Sequence, residues 1–460
     1  MRVHPAGPRS GELAHEGSHA GPPEDLNALD PAVWPIGVDR HPDGHLTVRG
    51  HDVRVLTAAH GSPVFLLDEE DLRSRCRDYR DAFGGASVYY AAKAFLSTTV
   101  AQWVEEEGLG LDVCTGGELA VAVHAGFPGD RMLLHGNNKS EAELSAALDA
   151  GVGRVVVDSL QEIERLNALC RHRGATQRVL VRTTVGVEAH THEFIATAHE
   201  DQKFGFSLAG GDALEAVRRV LASPGLELVG LHSHIGSQIF DAGGFEVAAH
   251  RVVGLLAEVR DVLGDVLPEL NLGGGLGIAY TSADDPADVG GMGRSLATIV
   301  ERECRSFGLP VPSLAIEPGR GIVGPGTITV YEVGTVKPVE GLRTFVSVDG
   351  GMSDNIRTAL YDADYTVSLA SRRSSAPAML ARVVGKHCES GDVVVKDAWL
   401  PADLAPGDLL AVAATGAYCR SMASTYNHVP RPPVVSVTAE GSRVLLRRET
   451  VEDLLVLDVG

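Results

Sequence analysis

From Ser87 onward, short apolar runs alternate with stretches in which apolar residues recur every three or four positions, as strands alternating with amphipathic helices require. Eight runs have strand character: SVYYAAK, LGLDVCT, RMLLHG, RVVVD, RVLVRTT, LVGLHSHIG, ELNLGGG and SLAIEPG. Between them lie helical stretches such as LSTTVAQWVEEEG, GELAVAVHAG, SEAELSAALDAG, LQEIERLNALCRHRG and FEVAAHRVVGLLAEVRDVLG. Several of these end at a glycine suited to a helix C-cap. Eight such units over roughly 230 residues match a (β/α)8 barrel, whose usual length is about 250 residues. A doubly wound open sheet is the competing architecture.

After about Ile322 the pattern changes to extended segments separated by Gly, Pro and Asp turns: TITVYEVGTVKPVEG, LRTFVSVDGG, SSAPAMLARVVGKHCESGDVVVKD, DLLAVAATGAYC, PPVVSVTAEG and SRVLLRRE. This predicts a separate β domain. The segment HLTVRGHDVRVLTAAHGSPVFLLD, ahead of the barrel, contains a short strand pair and can add strands to that domain. The expected division is an N-terminal extension over 1–30, a segment joining the β domain over 31–64, the barrel over 65–325 and the β domain over 326–460.

Composition narrows the function classes. With 460 residues, 44% of them hydrophobic and 22% charged, the chain can bury a large core. Forty basic against 61 acidic residues give a formal charge of -21, which disfavours nucleic acid and anionic membranes as partners. No run is long and apolar enough to span a bilayer, and the opening thirty residues lack the apolar stretch of a signal peptide. Six cysteines without a CxxC pair suggest neither a disulfide framework nor a zinc knuckle, so a cytoplasmic setting is expected.

In a barrel, the loops after the strands' C-terminal ends build the active site. Lys93 ends the first strand. His232, His234, Ser237 and Gln238 end the sixth, Gly273, Gly274 and Gly275 the seventh, and Glu317 with Arg320 the eighth. Singly, each has a structural explanation: a snorkelling lysine, a hydrogen-bonded core histidine, a tight glycine turn, a salt bridge between Glu317 and Arg320. Four strands sending such residues to one rim points instead to chemistry. A lysine amine that loses its hydration can form a Schiff base with an aldehyde. A glycine run lets backbone N–H groups approach a phosphate, with Ser237 as a further donor and Gly277 helping the turn. A carboxylate such as Glu317 against a pyridine nitrogen keeps that nitrogen protonated, and His234 can lie flat against the ring. These are the parts of a pyridoxal phosphate site. His190 and His192 of HTHE lack a third well-placed ligand, so no metal site is expected. Gln202 and Lys203 can reach the site from the loop after the fifth strand.

The motifs YYAAKA, HGNNKS, HSHIGSQ, NLGGGLG, EPGR, CESGD and TGAY, taken together, resemble the fold-type III pyridoxal phosphate-dependent decarboxylases, and in particular the diaminopimelate decarboxylase family. The resemblance runs from about Asn27 to near the C-terminus. HTHEFIATAHEDQKFGFS and DGGMSDNIRTALYDADYT are similar to the actinobacterial members. It implies a barrel of alanine-racemase type followed by a mainly β domain, in a head-to-tail homodimer whose active sites each take residues from the partner chain. By this resemblance Lys93 is the Schiff-base lysine and His234 the stacking residue. Gly275, Glu317, Gly319 and Arg320 contact the cofactor, and Tyr418 touches both cofactor and substrate. The partner subunit's Cys388 reprotonates the α-carbon, and the partner subunit's Glu389 binds the distal amino group. Arg320, Arg357 and Tyr361 match substrate-binding positions.

An Arg fork suits a second carboxylate, which favours meso-2,6-diaminopimelate over diamine precursors such as ornithine. The implied reaction is decarboxylation to L-lysine and carbon dioxide, the last step of lysine biosynthesis. The alternatives are an ornithine or arginine decarboxylase, an alanine racemase-like enzyme, and an inactive paralogue that binds the cofactor. On its own chemistry Cys388 beside His387 reads as an incidental thiol. Arg357 four residues before Tyr361 likewise reads as an exposed pair on a helical turn.

Overall fold

The computed structural model describes residues 21–186, 202–264, 266–286 and 288–460, so His190 and His192 lie outside the described residues. Two compact units emerge: one comprises Arg73–Ile278 and Asp285–Ile322, the other the chain up to Leu72 together with Ala279–Asp284 and Val323–Gly460.

The first unit contains the eight expected strands: β1 (Ser87–Ala91), β2 (Gly110–Val113), β3 (Met132–Leu134), β4 (Arg154–Val157), β5 (Gln177–Thr184), β6 (Leu226–Ser233), β7 (Glu269–Asn271) and β8 (Ser313–Ile316). Every neighbouring pair is parallel, and β8 returns to pair with β1, so the sheet closes and the open-sheet alternative falls. Local signals place the helices. Ser97, Thr115, Ser140 and Ser159 each accept a backbone N–H from the third residue onward, starting helices Thr98–Glu106, Gly116–His124, Glu141–Asp149 and Leu160–Arg173. Because each cap lies only a few residues beyond its strand, the residues between strand end and cap are held on the C-terminal rim. Below that rim Tyr89, Leu133, Val156, Leu180, Val229 and Ala315, one from each of six strands, form an apolar cluster inside the barrel. At about 1.5–3 kcal/mol for each large side chain removed from water, this cluster holds the barrel closed under its mouth.

In the second unit, strand Val64–Asp68 pairs antiparallel with Thr327–Val339 and parallel with Val434–Thr438. The boundary expected at residue 65 therefore falls inside a strand of the β sheet. Thr327–Val339 continues through Arg343–Val348 and Ala378–Val384 to Val393–Pro401, which gives a mixed sheet. The strand pair expected ahead of the barrel is Leu46–Val48 with His51–Asp52, while VRVLTAAH forms helix Val53–His60, with Asp52 accepting the Arg54 N–H as its cap. Among the described residues no helix is long and apolar enough to cross a membrane.

Candidate active site

The barrel mouth is built from the ends of its strands. β1 stops at Ala91, and one 3-10 turn, Ala92–Ala94, follows. This turn buries Ala92 and Ala94 and leaves Lys93 between them exposed. The loss of hydration expected for this amine is thus not imposed by the chain alone, since the strand ends two residues early. Its ammonium acts electrostatically on Asp112, Cys114, Glu118 and His234, which places it over the same mouth.

Glu317, buried at the end of β8, is the most heavily engaged group there. Its Oε1 accepts from His135 Nε2 and Asn271 Nδ2, both at 2.8 Å, and its Oε2 from His232 Nε2 at 3.2 Å. Burial alone raises a carboxyl pKa, but His135 and His232 hold this one well below the usual carboxylate range. Burial in turn pulls His232 below the usual imidazole range, against the opposing attraction of Glu317. An anionic Glu317 is consistent with both directions, because Asn271 and the histidine N–H groups donate to it whether or not the imidazoles are charged. The salt bridge to Arg320, the structural explanation for Glu317, is not needed for its burial. Arg320 is itself buried and donates from Nη2 to Ser237 Oγ at 2.8 Å. His135, His232 and Glu317 also lie close enough together to share a cation, but their spacings are those of direct hydrogen bonds.

The glycine run sits against the sheet with no room for side chains. A Cβ on Gly274 would lie 2.1 Å from the Glu317 carbonyl oxygen, and one on Gly275, whose φ is +115°, 2.3 Å from that of Gly236. The Gly274 N–H donates to His234 Nδ1 at 3.2 Å. That bond leaves the ring proton on Nε2, in keeping with a histidine that burial and the charges of Lys93 and Arg182 hold well below the usual imidazole range. Gln238 follows in the left-handed region at φ 61°. A cradle that admits only backbone, an anion facing inward, a neutral imidazole and an amine at the rim are together what pyridoxal phosphate requires, and these residues fit it.

The remaining sequence-assigned residues lie in the second unit. Arg357 is buried, not the exposed surface residue its spacing suggested. Its guanidinium lies 4.7 Å from the Tyr280 ring centroid and 5.6 Å from that of Tyr365. Burial opposes its charge, yet these tyrosines and the Tyr365 hydroxyl it donates to keep it protonated. Its Nε is buried with no hydrogen-bond acceptor among the described residues. Tyr361 ends the same short helix, Arg357–Tyr361. Tyr418 is half-buried in the left-handed region at φ 62°, a conformation costing a non-glycine residue about 1–2 kcal/mol. Cys388 and Glu389 are exposed, and the Cys388 N–H donates to Asn427 Oδ1 at 3.1 Å. The buried carboxylate of Asp392 accepts the N–H groups of His387 and Met352, which fixes the loop that carries both.

Sequence reasoning gave no role to His135, Asn271 or Asp112. Each is a polar residue on or directly after an otherwise apolar strand, in RMLLHG, ELNLGGG and LGLDVCT, and that mismatch was the available signal. Burial pushes the Asp112 carboxyl up to about 6, partly offset by His135 and Lys93. Asp112 therefore holds its proton more tightly folded than unfolded. Its contribution to stability is complete below about pH 4 and is lost as pH rises through about 6. Asp112→Asn, which never buries that charge, is expected to show a flatter fall in stability across this window, measured as denaturation midpoint against pH.

A family model described as "Pyridoxal-dependent decarboxylase, pyridoxal binding domain" matches residues 69–324. The diaminopimelate decarboxylase of Mycobacterium leprae is 58% identical over 474 aligned positions, covering 100% of both chains. That of Mycobacterium tuberculosis is 60% identical over 95% of this chain and 99% of its own. Among solved structures, diaminopimelate decarboxylase from M. jannaschii in complex with L-lysine superposes with a TM-score of 0.86 at 29% identity, covering 92% of this chain and 98% of that one. A pyridoxal-binding model spanning more than half the chain, and relatives matched along nearly their whole length, show that the chain belongs to the diaminopimelate decarboxylase family of pyridoxal phosphate-dependent decarboxylases.

Proposed function

We propose that the chain decarboxylates meso-2,6-diaminopimelate to L-lysine and carbon dioxide, the closing step of lysine biosynthesis. The observation that carries this reading is the near-full-length identity of 58–60% with proteins named diaminopimelate decarboxylase. Pyridoxal phosphate, when bound, supplies an aldehyde that captures the substrate amine and a ring that takes up the electrons of the broken bond. The chain supplies the rest. Lys93 offers the amine that holds the aldehyde between turnovers. Gly273, Gly274 and Gly275, with Ser237, Gly319 and Arg320 beside them, receive the phosphate end. Glu317 would face the ring nitrogen, and the neutral ring of His234 would pack on the cofactor's face.

For the substrate, Arg320, Arg357, Tyr361 and Tyr418 would grip the carboxylates, and Glu389 would take the distal ammonium. Cys388 delivers the proton that replaces the departing carboxylate. The exposure of Cys388 and Glu389 in a single chain supports their acting in a partner's site, within a homodimer. The free state of all six cysteines supports a cytoplasmic setting. The deciding assay is carbon dioxide release from meso-diaminopimelate beside ornithine, arginine and lysine. Turnover of ornithine with none of diaminopimelate sinks the substrate assignment.

Shared sites carry a separate expectation. Lys93→Ala and Cys388→Ala are each expected to be nearly inactive alone. Co-expressed in equal amounts, they form mixed dimers in which one site of two is intact, so about one quarter of native activity returns. No recovery in purified mixed dimers means that each site is complete within one chain.

A further inference from the structure

Three buried polar groups that bond directly to Glu317, His135, His232 and Asn271, are unused by the chemistry described so far. We infer that these three form a positioning cradle that keeps the Glu317 carboxylate anionic and leaves one of its oxygens open, so that they set the proton on the cofactor's ring nitrogen together with Glu317. This rests on the reading in which Glu317 faces that nitrogen.

Counting donors gives the open oxygen. A carboxylate has about four acceptor positions. Oε1 takes two donors at 2.8 Å, from β7 and from the end of β3, whereas Oε2 takes one at 3.2 Å, from β6. The vacant capacity lies on Oε2. Asn271 cannot turn over to present its oxygen, because Oδ1 accepts the Gly273 N–H at 2.8 Å while Nδ2 serves Glu317. The same side chain therefore ties the carboxylate to the first residue of the glycine turn. The Glu317 N–H closes the loop on the Gly273 carbonyl at 2.9 Å.

His232 is fixed in a different way. Its Nδ1 is buried with no hydrogen-bond partner among the described residues, so a proton there would be stranded and the ring is held in the form that donates from Nε2. Its carbonyl accepts from Thr183 Oγ1 at 2.9 Å, and the His135 ring meets it edge-on at 4.7 Å. Asn271 is uncharged by chemistry and His232 is pushed toward neutrality by burial. Two of the three donors thus stabilise the anion without neutralising it, which leaves its charge to hold a protonated ring. The other titratable groups facing this cluster are Tyr89, Asp112, Cys114 and His234, with the cations Lys93 and Arg182.

The test uses cofactor-loaded enzyme and two readouts: the pH at which the visible absorbance of the bound cofactor changes, and the split between kcat and KM. Asn271→Leu and His232→Leu are expected to move the absorbance transition toward neutral pH and to lower kcat on the order of ten- to a hundredfold, with KM little altered. His232→Gln, which keeps an N–H, is expected to recover most of both. Should the leucine variants fail to load cofactor, Asn271→Ala and His232→Ala, which remove the same donors, decide. Transitions that stay at the native pH in these donor-lacking variants, while Glu317→Gln shifts its own, overturn the cradle and leave the Glu317 contact standing. An unmoved transition in Glu317→Gln overturns the contact and the cradle with it.

Discussion

Lys93→Ala is expected to lose turnover by at least about a thousandfold while keeping its fold, since in the proposed mechanism it removes a covalent nucleophile, which costs far more than removing a positioning group. Structural damage should be small. The side chain is exposed on a 3-10 turn whose neighbours Ala92 and Ala94 make the buried contacts, and surface truncations of this kind shift stability by about 0.5 kcal/mol or less. The expected pairing is a far-UV circular dichroism spectrum and melting temperature close to native, with carbon dioxide release near background. Exogenous alkylamines should restore a fraction of the rate if the missing amine is the whole defect. A variant that retains more than a tenth of native turnover would show that another amine does this work.

The barrel was legible in the sequence because its two periodicities are strong. Mainly apolar strands of three to eight residues and helices opened by Ser97, Thr115, Ser140 and Ser159 leave little freedom of assignment. Closure of the sheet was legible only as a matter of size, since nothing in β1 or β8 taken alone says that they pair. The placement of Lys93, His234, the glycine run and Glu317 at the barrel mouth could be read from residue type and position. Their environments could not. Lys93 stands in the open because β1 ends at Ala91, and Arg357 is buried because Tyr280, 77 positions earlier in the numbering, packs on its guanidinium. The partners of Glu317 come from β3, β6 and β7, and a three-strand convergence is invisible to local pattern. What the sequence did show was the anomaly of a histidine, an asparagine and an aspartate on strands that otherwise bury hydrocarbon.

Glu317→Gln replaces an anion with an amide of nearly the same shape, and the fate of its neighbours sets the size of the effect. His135 and Asn271 both donate to Oε1, so the amide oxygen of Gln must take that place. The amide NH2 then faces the His232 Nε2–H, donor against donor. His232 can accept only by moving its proton to Nδ1, which is buried without a partner among the described residues. Either arrangement strands one buried polar group, at about 1–3 kcal/mol of stability. The catalytic loss should be greater, because the charge proposed to hold the ring proton is gone. Losing one fixed electrostatic group of this kind costs roughly a hundred- to a thousandfold in kcat. KM for diaminopimelate should change much less, since in the proposed mechanism Glu317 serves the cofactor and not the substrate. Glu317→Asp keeps the charge but withdraws it by one methylene, so it should fall between Gln and native. Glu317→Gln kcat within tenfold of native would remove Glu317 from the electron-sink role, whatever its hydrogen bonds contribute to the fold.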